Sequence, residues 1–286
     1  MALVAAGTIN IEMAIYIVMG ANIGTSITNV LVSLSHITRR NEFSLAFSAA
    51  TVHDFFNLIT VSLILPLEYF FGYLSKLSVL MTSALSELGG LKLFKPLDLI
   101  TRPVVQWMQS LMGKNALLIG IAAIVLLFLA LRYIVVLMKK LIMEKIKRVF
   151  STYFFKSYFR AMATGTVITS VVQSSSVTTS LAVPFAAARI LSLEQIFPYT
   201  LGANIGTTVT ALLAALSIGN PLGLQVALAH LLFNVTGIIM ITPLKKVPIY
   251  LAKQMAYLSL KNRLIPFFYI IIQFFIIPLL FIYIWR

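Results

Sequence analysis

The chain has 286 residues, 60% hydrophobic and 10% charged, with 22 Lys and Arg against 8 Asp and Glu. An average soluble domain is about half apolar and about one-quarter charged, so this composition excludes an ordinary soluble domain and indicates a polytopic membrane protein. The absence of cysteine excludes disulfides, thiol chemistry and thiolate metal sites.

Residues 1–68 are predicted to form the first structural unit. The apolar segments 2–19 and 27–35 are each too short to cross a bilayer, which takes about 20 residues. Together they predict one crossing that is broken at residues 20–24. Residues 43–65 are long enough to span, and Pro66 is expected to end their helix.

The next two units are a connector and a membrane helix with a basic extension. Residues 69–115 contain Gly and Pro among short amphipathic pieces, which indicates an extramembrane or interfacial connector. Residues 116–160 are predicted to form a transmembrane helix, 116–138, followed by an interfacial helix, 139–160. That last stretch carries seven Lys or Arg and one Glu.

The fourth unit, 161–246, contains a polar Gln-Ser-Ser-Ser segment at 173–176, here called the QSSS segment. The topology closes if 161–182 enters and leaves the membrane on the same side. The fifth unit, 247–286, is predicted to be a cytoplasmic segment followed by a last span at 264–284. Its Tyr and Phe side chains are expected to face lipid.

Positive charge lies in clusters between the apolar segments, at 139–160 and at 245–263. This distribution is typical of cytoplasmic segments beside anionic lipid, and it argues against a nucleic-acid partner. The lipid bilayer is therefore the predicted surroundings. No catalytic motif is present, so neither an enzyme nor a cofactor is predicted.

An internal repeat relates the first unit to the fourth. GANIGTSIT at 20–28 matches GANIGTTVT at 202–210 with seven identities in nine positions, at an offset of 182. His-x-x-Phe-Asn then recurs at 53–57 and 230–234, at an offset of 177. Two motifs in the same order predict two copies of one structural unit. Residues 20–25 and 202–207 are called the first and second GANIGT segments below.

Charges orient the two copies oppositely. Arg39 and Arg40 follow the first GANIGT segment, whereas the loop 217–223 after the second has no charge. After the next helix the charges are reversed: the first copy ends with the acidic Glu68, and the second copy has the basic Lys245 at the corresponding position. By the positive-inside rule the copies cross in opposite directions. The predicted fold class is all-α: a polytopic membrane protein with two inverted-topology repeats, a re-entrant hairpin and broken transmembrane helices, as in secondary transporters.

Two chemistries fit the polar segments. Backbone N–H groups at the start of a half-helix suit an anion such as phosphate or a carboxylate. Carbonyls freed at a helix break, together with hydroxyl and amide oxygens, suit a hard cation. Residues 173–180 offer six hydroxyls and one amide. Their alternative role is small-residue packing, with the hydroxyls bonded to their own helix.

Two polar residues of the span 43–65, Asp54 and His53, also have alternative interpretations. Asp54 is an intramembrane acid, and Leu231 stands at its position in the second copy. Such a carboxylate is a functional candidate, for example in coupling, or it is neutralised by a local bond such as one to His53. His53 and His230 recur in both copies, which favours a structural role in helix-to-helix bonding.

These residues resemble the type II sodium-phosphate cotransporter family. The resemblance is carried by the QSSS segment, both GANIGT segments, Thr-Val-His-Asp-Phe-Phe-Asn at 51–57 and His-Leu-Leu-Phe-Asn at 230–234. It implies two inverted repeats that each contribute a QSSS hairpin tip. It also implies sodium-driven uptake of inorganic phosphate, with Na⁺ as a transported ion, across the plasma membrane or a bacterial inner membrane. Oligomeric state is left open.

The resemblance also implies roles for individual residues. The implied phosphate-binding residues are Gln173, Ser174, Ser175, Ser176, Asn22 and Thr25. The implied sodium-binding residues are Gln173, Ser174, Thr207, Thr210, Asn204, Asn22, Ser26 and Asn29.

One departure from the family pattern concerns the first hairpin tip. By the offset of 182, the first QSSS would precede Met1. We therefore expect that Met1 is an internal methionine or that the chain is truncated, possessing half of the tip pair and transporting poorly. Two alternatives stay open: a non-transporting scaffold or regulatory subunit, and a symporter for another small anion such as sulfate or a dicarboxylate.

Overall fold

A computed structural model of the chain describes residues 2–87 and 154–279, and only isolated positions between these ranges. The predicted transmembrane helix 116–138 and most of the basic helix 139–160 therefore lie outside the described residues. So do most of the predicted connector beyond residue 87 and the end of the last span. Within the described ranges all regular structure is helical.

The helices are numbered in chain order. They are α1 (Ala2–Ala5), α2 (Ile11–Gly24), α3 (Ile27–Leu34), α4 (Arg40–Phe71), α5 (Tyr73–Glu87), α6 (Tyr158–Val172), α7 (Ser175–Ala187), α8 (Leu193–Ile218), α9 (Pro221–Ile241), α10 (Lys246–Lys261) and α11 (Ile265–Ile271), which continues into a π-helix (Ile272–Ile276). Four described segments are long and apolar enough to cross a membrane: Ile11–Leu34, Arg40–Phe71, Leu193–Ser217 and Pro221–Ile241.

The first crossing is interrupted directly after the predicted position. Helix α2 ends at Gly24 and α3 begins at Ile27. The hydroxyl of Thr25 donates to the Asn22 carbonyl at 2.9 Å, and that of Ser26 donates to the Ile23 carbonyl at 2.7 Å. Ser and Thr hydroxyls that bond to preceding carbonyls disturb a helical ladder. Local side-chain chemistry therefore accompanies the interruption.

If the two copies form one structural unit, the second GANIGT segment should break its helix as the first was predicted to do, and this prediction is wrong. Helix α8 runs without interruption from Leu193 to Ile218. A Cβ at Gly202 would lie 1.8 Å from the Met162 carbonyl oxygen, and one at Gly206 would lie 2.6 Å from that of Thr166. The glycines therefore let α6 and α8 touch backbone to backbone, and this contact supports a continuous helix.

Pro66 was expected to end the second span, and this is also wrong. Helix α4 continues through Pro66 to Phe71 and ends at Gly72, which has a left-handed φ of 60°. The Glu68 side chain is buried and accepts from the Leu74 N–H at 2.6 Å, at the start of α5. Because this carboxylate caps α5, the extra turn of α4 joins the two helices.

The predicted turn between the last two membrane-length helices is confirmed. Helix α8 ends before Gly219, which has a φ of 67°, and Asn220 caps α9 by accepting from the Leu222 N–H at 2.8 Å. Apolar clusters pack on two sides of α4. One includes Phe56 and Phe197, and another includes Phe43 and Tyr269. The polar side chains of α4 described next are buried near these clusters.

Candidate functional site

The QSSS segment forms the turn of a helical hairpin. Helices α6 and α7 have 15 and 13 residues, fewer than the roughly 20 needed to cross a bilayer. Between them, Gln173 is exposed and has a left-handed φ of 58°. The Ser174 hydroxyl caps α7 by accepting from the Val177 N–H at 3.3 Å. A left-handed non-glycine residue at a helix break is uncommon and marks a position where function can outweigh strain.

The start of α7 meets the interruption between α2 and α3. The Ser176 hydroxyl donates to the Thr25 carbonyl at 3.1 Å. One turn later, the buried Thr179 hydroxyl lies 2.9 Å from the Asn29 Oδ1 atom. Both contacts join parts of the chain about 150 residues apart. The structure thus brings α7, which begins within the QSSS segment, together with two other residues predicted for the site, Thr25 and Asn29.

From Asn29, hydrogen bonds continue through the interior to α8. The Asn29 amide nitrogen lies 3.4 Å from His53 Nδ1, and His53 Nε2 lies 2.8 Å from Asn204 Oδ1. All three side chains are buried. A neutral His53 protonated on Nε2 satisfies both contacts, because it accepts from one amide and donates to the other.

The chain of bonds then returns to the first GANIGT segment. The Asn204 amide donates to Asn57 Oδ1 at 2.8 Å, and the Asn57 amide donates to the Asn22 carbonyl at 2.7 Å. A continuous series of five hydrogen bonds therefore links α7, α3, α4, α8 and α2. Because every member is buried, each lost bond leaves a polar atom without solvent.

The contacts relate the two sequence copies in a crosswise manner. His53 of the first copy bonds Asn204 of the second, and His230 of the second lies 3.1 Å from the Asn22 amide of the first. Within each copy, the Asn of His-x-x-Phe-Asn reaches the carbonyl of the GANIGT Asn. The distances are 2.7 Å for Asn57 and 3.4 Å for Asn234. The recurring motifs therefore contact one another at the centre of the molecule.

Asp54 is fully buried beside this network. Its Oδ2 atom accepts from the Tyr269 hydroxyl at 2.9 Å, and Ser26 lies next to the same carboxylate. No hydrogen-bond donor reaches Oδ1, and no Lys or Arg forms an ion pair with Asp54, among the residues that the structure describes. His53 does not bond Asp54, since both of its nitrogens serve asparagines.

Tyr269 is a residue that sequence reasoning missed. Aromatic side chains of the last span were expected to face lipid, yet Tyr269 is only 8% exposed. Its neighbours Phe267 and Phe268 are exposed, as expected. The sequence signal that could have identified it is Asp54 itself, because an intramembrane acid requires a polar partner on a facing helix.

Other residues predicted for the site do not take part in the buried hydrogen-bond network. The Thr207 hydroxyl donates to the Ala203 carbonyl at 3.0 Å, and that of Thr210 donates to the Thr207 carbonyl at 2.7 Å. Both bonds lie within α8. The exposed Gln173 side chain stands apart from the buried network.

The donor set suits a hard cation better than a transition metal. No group of three or more His, Cys, Asp or Glu side chains that could hold a metal occurs in the described part of the chain. The available ligands are instead amide, hydroxyl and carbonyl oxygens with one carboxylate, Asp54. Such oxygen ligands are those that hard cations prefer.

Comparison with known proteins adds an independent finding. Residues 126–260 match the Na⁺/Pi-cotransporter family. This region includes the QSSS segment, the second GANIGT segment and the second His-x-x-Phe-Asn motif. No solved structure matches the chain significantly.

Curated relatives match nearly the whole chain. It is 30% identical over 373 aligned positions to sodium-dependent phosphate transport protein 2B of Pongo abelii, with 97% of the chain and 54% of the relative covered. The mouse (Mus musculus) 2B protein is 32% identical, covering 96% of the chain and 53% of the relative. The rat (Rattus norvegicus) 2A protein is 31% identical, covering 96% and 55%. The chain thus spans about half the length of these relatives.

The family match, the similarity along nearly the whole chain and the meeting of the shared motifs in one buried centre agree with one another. The chain is similar to the Na⁺/Pi-cotransporter family over residues 126–260 and to sodium-dependent phosphate transport proteins along nearly its whole length.

Proposed function

We propose that the chain is a sodium-coupled symporter of inorganic phosphate in the plasma membrane, or in the inner membrane of a bacterium. The observation that carries the proposal is the contact between the QSSS hairpin and the interruption of the first crossing, at Ser176 and Thr25. It joins two polar segments of an otherwise apolar chain. Polar groups at membrane depth are tolerated only where they lie inside the protein or line a water-filled cavity. The relatives named for sodium-dependent phosphate transport support the same function.

In the proposed architecture the two sequence copies are inverted repeats, and α6–α7 is a re-entrant hairpin. Its two helices are too short to cross a bilayer, which supports a hairpin that enters and leaves on one side. The substrate would lie near the repeat interface, as is usual in transporters built this way. The crosswise His–Asn contacts support an interface at the centre of the molecule.

Phosphate is assigned to the hairpin turn and the first GANIGT segment. The N-terminus of α7 provides backbone N–H groups and the positive end of a helix dipole. Hydroxyl and amide donors surround it. The proposed phosphate-binding residues are Gln173, Ser174, Ser175, Ser176, Asn22 and Thr25.

Sodium is assigned to oxygen ligands around the helix interruption and along α8. The proposed residues are Gln173, Ser174, Asn22, Ser26, Asn29, Asn204, Thr207 and Thr210. Asp54 is proposed to couple the two ions. Its carboxylate is buried, and no cationic side chain pairs with it in the described ranges. A bound sodium ion would supply that charge and offset the cost of bringing a phosphate anion into a low-dielectric site.

The test is uptake of radiolabelled phosphate by proteoliposomes, measured with an inward sodium gradient and with choline in place of sodium. We expect uptake in sodium alone. Gln173→Ala and Ser175→Ala are expected to abolish it, because they remove the hairpin turn's amide and one of its hydroxyls. The matched control is Ser180→Ala, whose hydroxyl bonds to Val177 within α7.

Each outcome separates the alternatives. Normal uptake by the Gln173 and Ser175 variants would move the phosphate site elsewhere. Sodium-driven uptake of sulfate or a dicarboxylate in preference to phosphate would identify a symporter for another anion. A folded chain that moves none of these anions would favour a membrane scaffold or regulatory subunit.

A further inference from the structure

Asp54, the acid that has no counterpart in the second copy, accepts a hydrogen bond from a helix outside both copies. Asp54 has no counterpart in the second copy, where Leu231 stands. Its hydrogen-bond donor, Tyr269, belongs to α11, which follows the second copy along the chain. The bond between them is 2.9 Å long and joins the first copy to this later helix.

The Tyr269 ring is held on several sides by other aromatic rings. Its centroid lies 6.0 Å from that of Phe47, 6.3 Å from Phe55 and 6.4 Å from Phe274. Phe47 and Phe55 belong to α4, the helix that carries Asp54. Because these α4 side chains pack against the Tyr269 ring, they hold its hydroxyl in a defined position beside the Asp54 carboxylate.

The two carboxylate oxygens of Asp54 therefore differ in their hydrogen bonding. Oδ2 accepts from Tyr269, whereas Oδ1 is buried without a hydrogen-bond partner among the described residues. A buried carboxylate oxygen without a donor is costly unless another group binds it. The bond from Tyr269, with Ser26 beside the same carboxylate, restrains the rotation of the carboxylate and thereby the direction of Oδ1.

We propose that Tyr269 is a positioning residue for sodium: by holding Asp54 Oδ2, it aims Oδ1 at the cation and sets the affinity of the coupling site. This inference rests on the proposed function, since it assigns to Asp54 the role of a sodium ligand. Tyr269 itself does not touch the ion. Helix α11 thus contributes to ion binding although it lies outside the repeats.

The test compares Tyr269→Phe with Tyr199→Phe. Both substitutions remove one buried phenol hydroxyl and keep the ring. Tyr199 donates instead to the backbone carbonyl of Thr178 at 3.1 Å and does not contact Asp54. Purified protein in detergent is heated over a series of sodium concentrations, with choline keeping ionic strength constant. The measured quantity is the sodium concentration that gives half of the maximal thermal stabilisation.

We expect Tyr269→Phe to raise this midpoint about tenfold, which corresponds to about 1.4 kcal/mol. Tyr199→Phe should lower the unfolding temperature without moving the sodium midpoint. In proteoliposomes, the phosphate KM at saturating sodium should stay unchanged in Tyr269→Phe, while the sodium activation curve shifts.

Three results would overturn the inference. An unchanged sodium midpoint in Tyr269→Phe contradicts it directly. Equal shifts in both variants would mean that Tyr269 acts through general stability. Absence of sodium stabilisation in the unsubstituted chain would remove the site itself. Sodium stabilisation without phosphate uptake would instead contradict the proposed transport and leave the test of Tyr269 valid.

Discussion

The two GANIGT segments share six residues in a row but differ in how the helix continues after them. The first leads directly into an interruption between α2 and α3, and the second lies inside the continuous helix α8. A Cβ added at Gly20 or Gly24 meets no described atom within 4 Å, whereas one at Gly202 meets the backbone of α6 at 1.8 Å. The same glycines are therefore open in one copy and a contact surface in the other.

The two copies also differ in the neighbouring helix that contacts each motif. Glycine lowers the helix propensity of both segments equally. In the second copy, close contact with α6 offsets that weakness. In the first, the start of α7 reaches the Thr25 carbonyl directly after the segment. A chain with two copies of one motif can thereby use one copy in a packed continuous helix and the other beside a helix interruption.

The largest expected effect comes from filling the contact at Gly202. Gly202→Ala places a methyl group against the Met162 carbonyl, so α6 and α8 must separate. We expect a loss of about 3 kcal/mol or more in the free energy of unfolding, at the upper end of overpacking effects. SDS titration in mixed micelles measures this loss. Wild-type stability in the variant would mean that α6 and α8 do not touch at this position.

The second prediction compares the two GANIGT asparagines. Asn204→Ala leaves His53 Nε2 and Asn57 Oδ1 without their partners in the interior. With a cost of about 1–3 kcal/mol for each unsatisfied buried group, we expect a total loss of about 3 kcal/mol. Asn22→Ala removes the contact to His230 and a bond to the Val18 carbonyl of its own helix, and because only His230 loses a side-chain partner it should cost about 1 kcal/mol. Equal losses in the same titration would show that the two copies use these residues alike.

The smallest expected effect is an increase in stability, whereas the two larger effects are losses. Gly20→Ala adds a methyl group on an exposed face of α2, where no described atom lies within 4 Å. Because Ala favours a helix over Gly, the variant should be more stable by about 0.5–1 kcal/mol. The midpoint of thermal unfolding, followed by size-exclusion chromatography of heated samples, provides the measurement. A marked loss would place an unseen partner at the first segment.

Much of the architecture was predictable from short-range patterns. The span in 43–65 follows from uninterrupted apolar residues, and the turn at Gly219 and Asn220 follows from residues that favour left-handed φ and helix caps. The recurrence of His53 and His230 predicted helix-to-helix bonding, and each histidine lies within hydrogen-bonding distance of an asparagine on another helix. These features depend on composition and local geometry, which a sequence carries directly.

The errors share one physical cause, which is contact between distant parts of the chain. Pro66 was expected to stop α4, but the helix continues because Glu68 caps α5 one turn later. Tyr269 was expected to face lipid, but it bonds to Asp54, 215 residues away. Periodicity alone does not distinguish a lipid-facing tyrosine from one that faces a buried acid.

The amino-acid sequence by itself determined the helical class, the membrane-length segments, the internal repeat and the identity of the polar residues. These follow from hydropathy, turn residues and recurrence. The tertiary structure alone decided which GANIGT segment is followed by an interruption, which amide bonds which histidine and where Tyr269 points. Those choices depend on how closely α6 approaches α8 and on which buried donors meet which acceptors, and both are properties of packed helices.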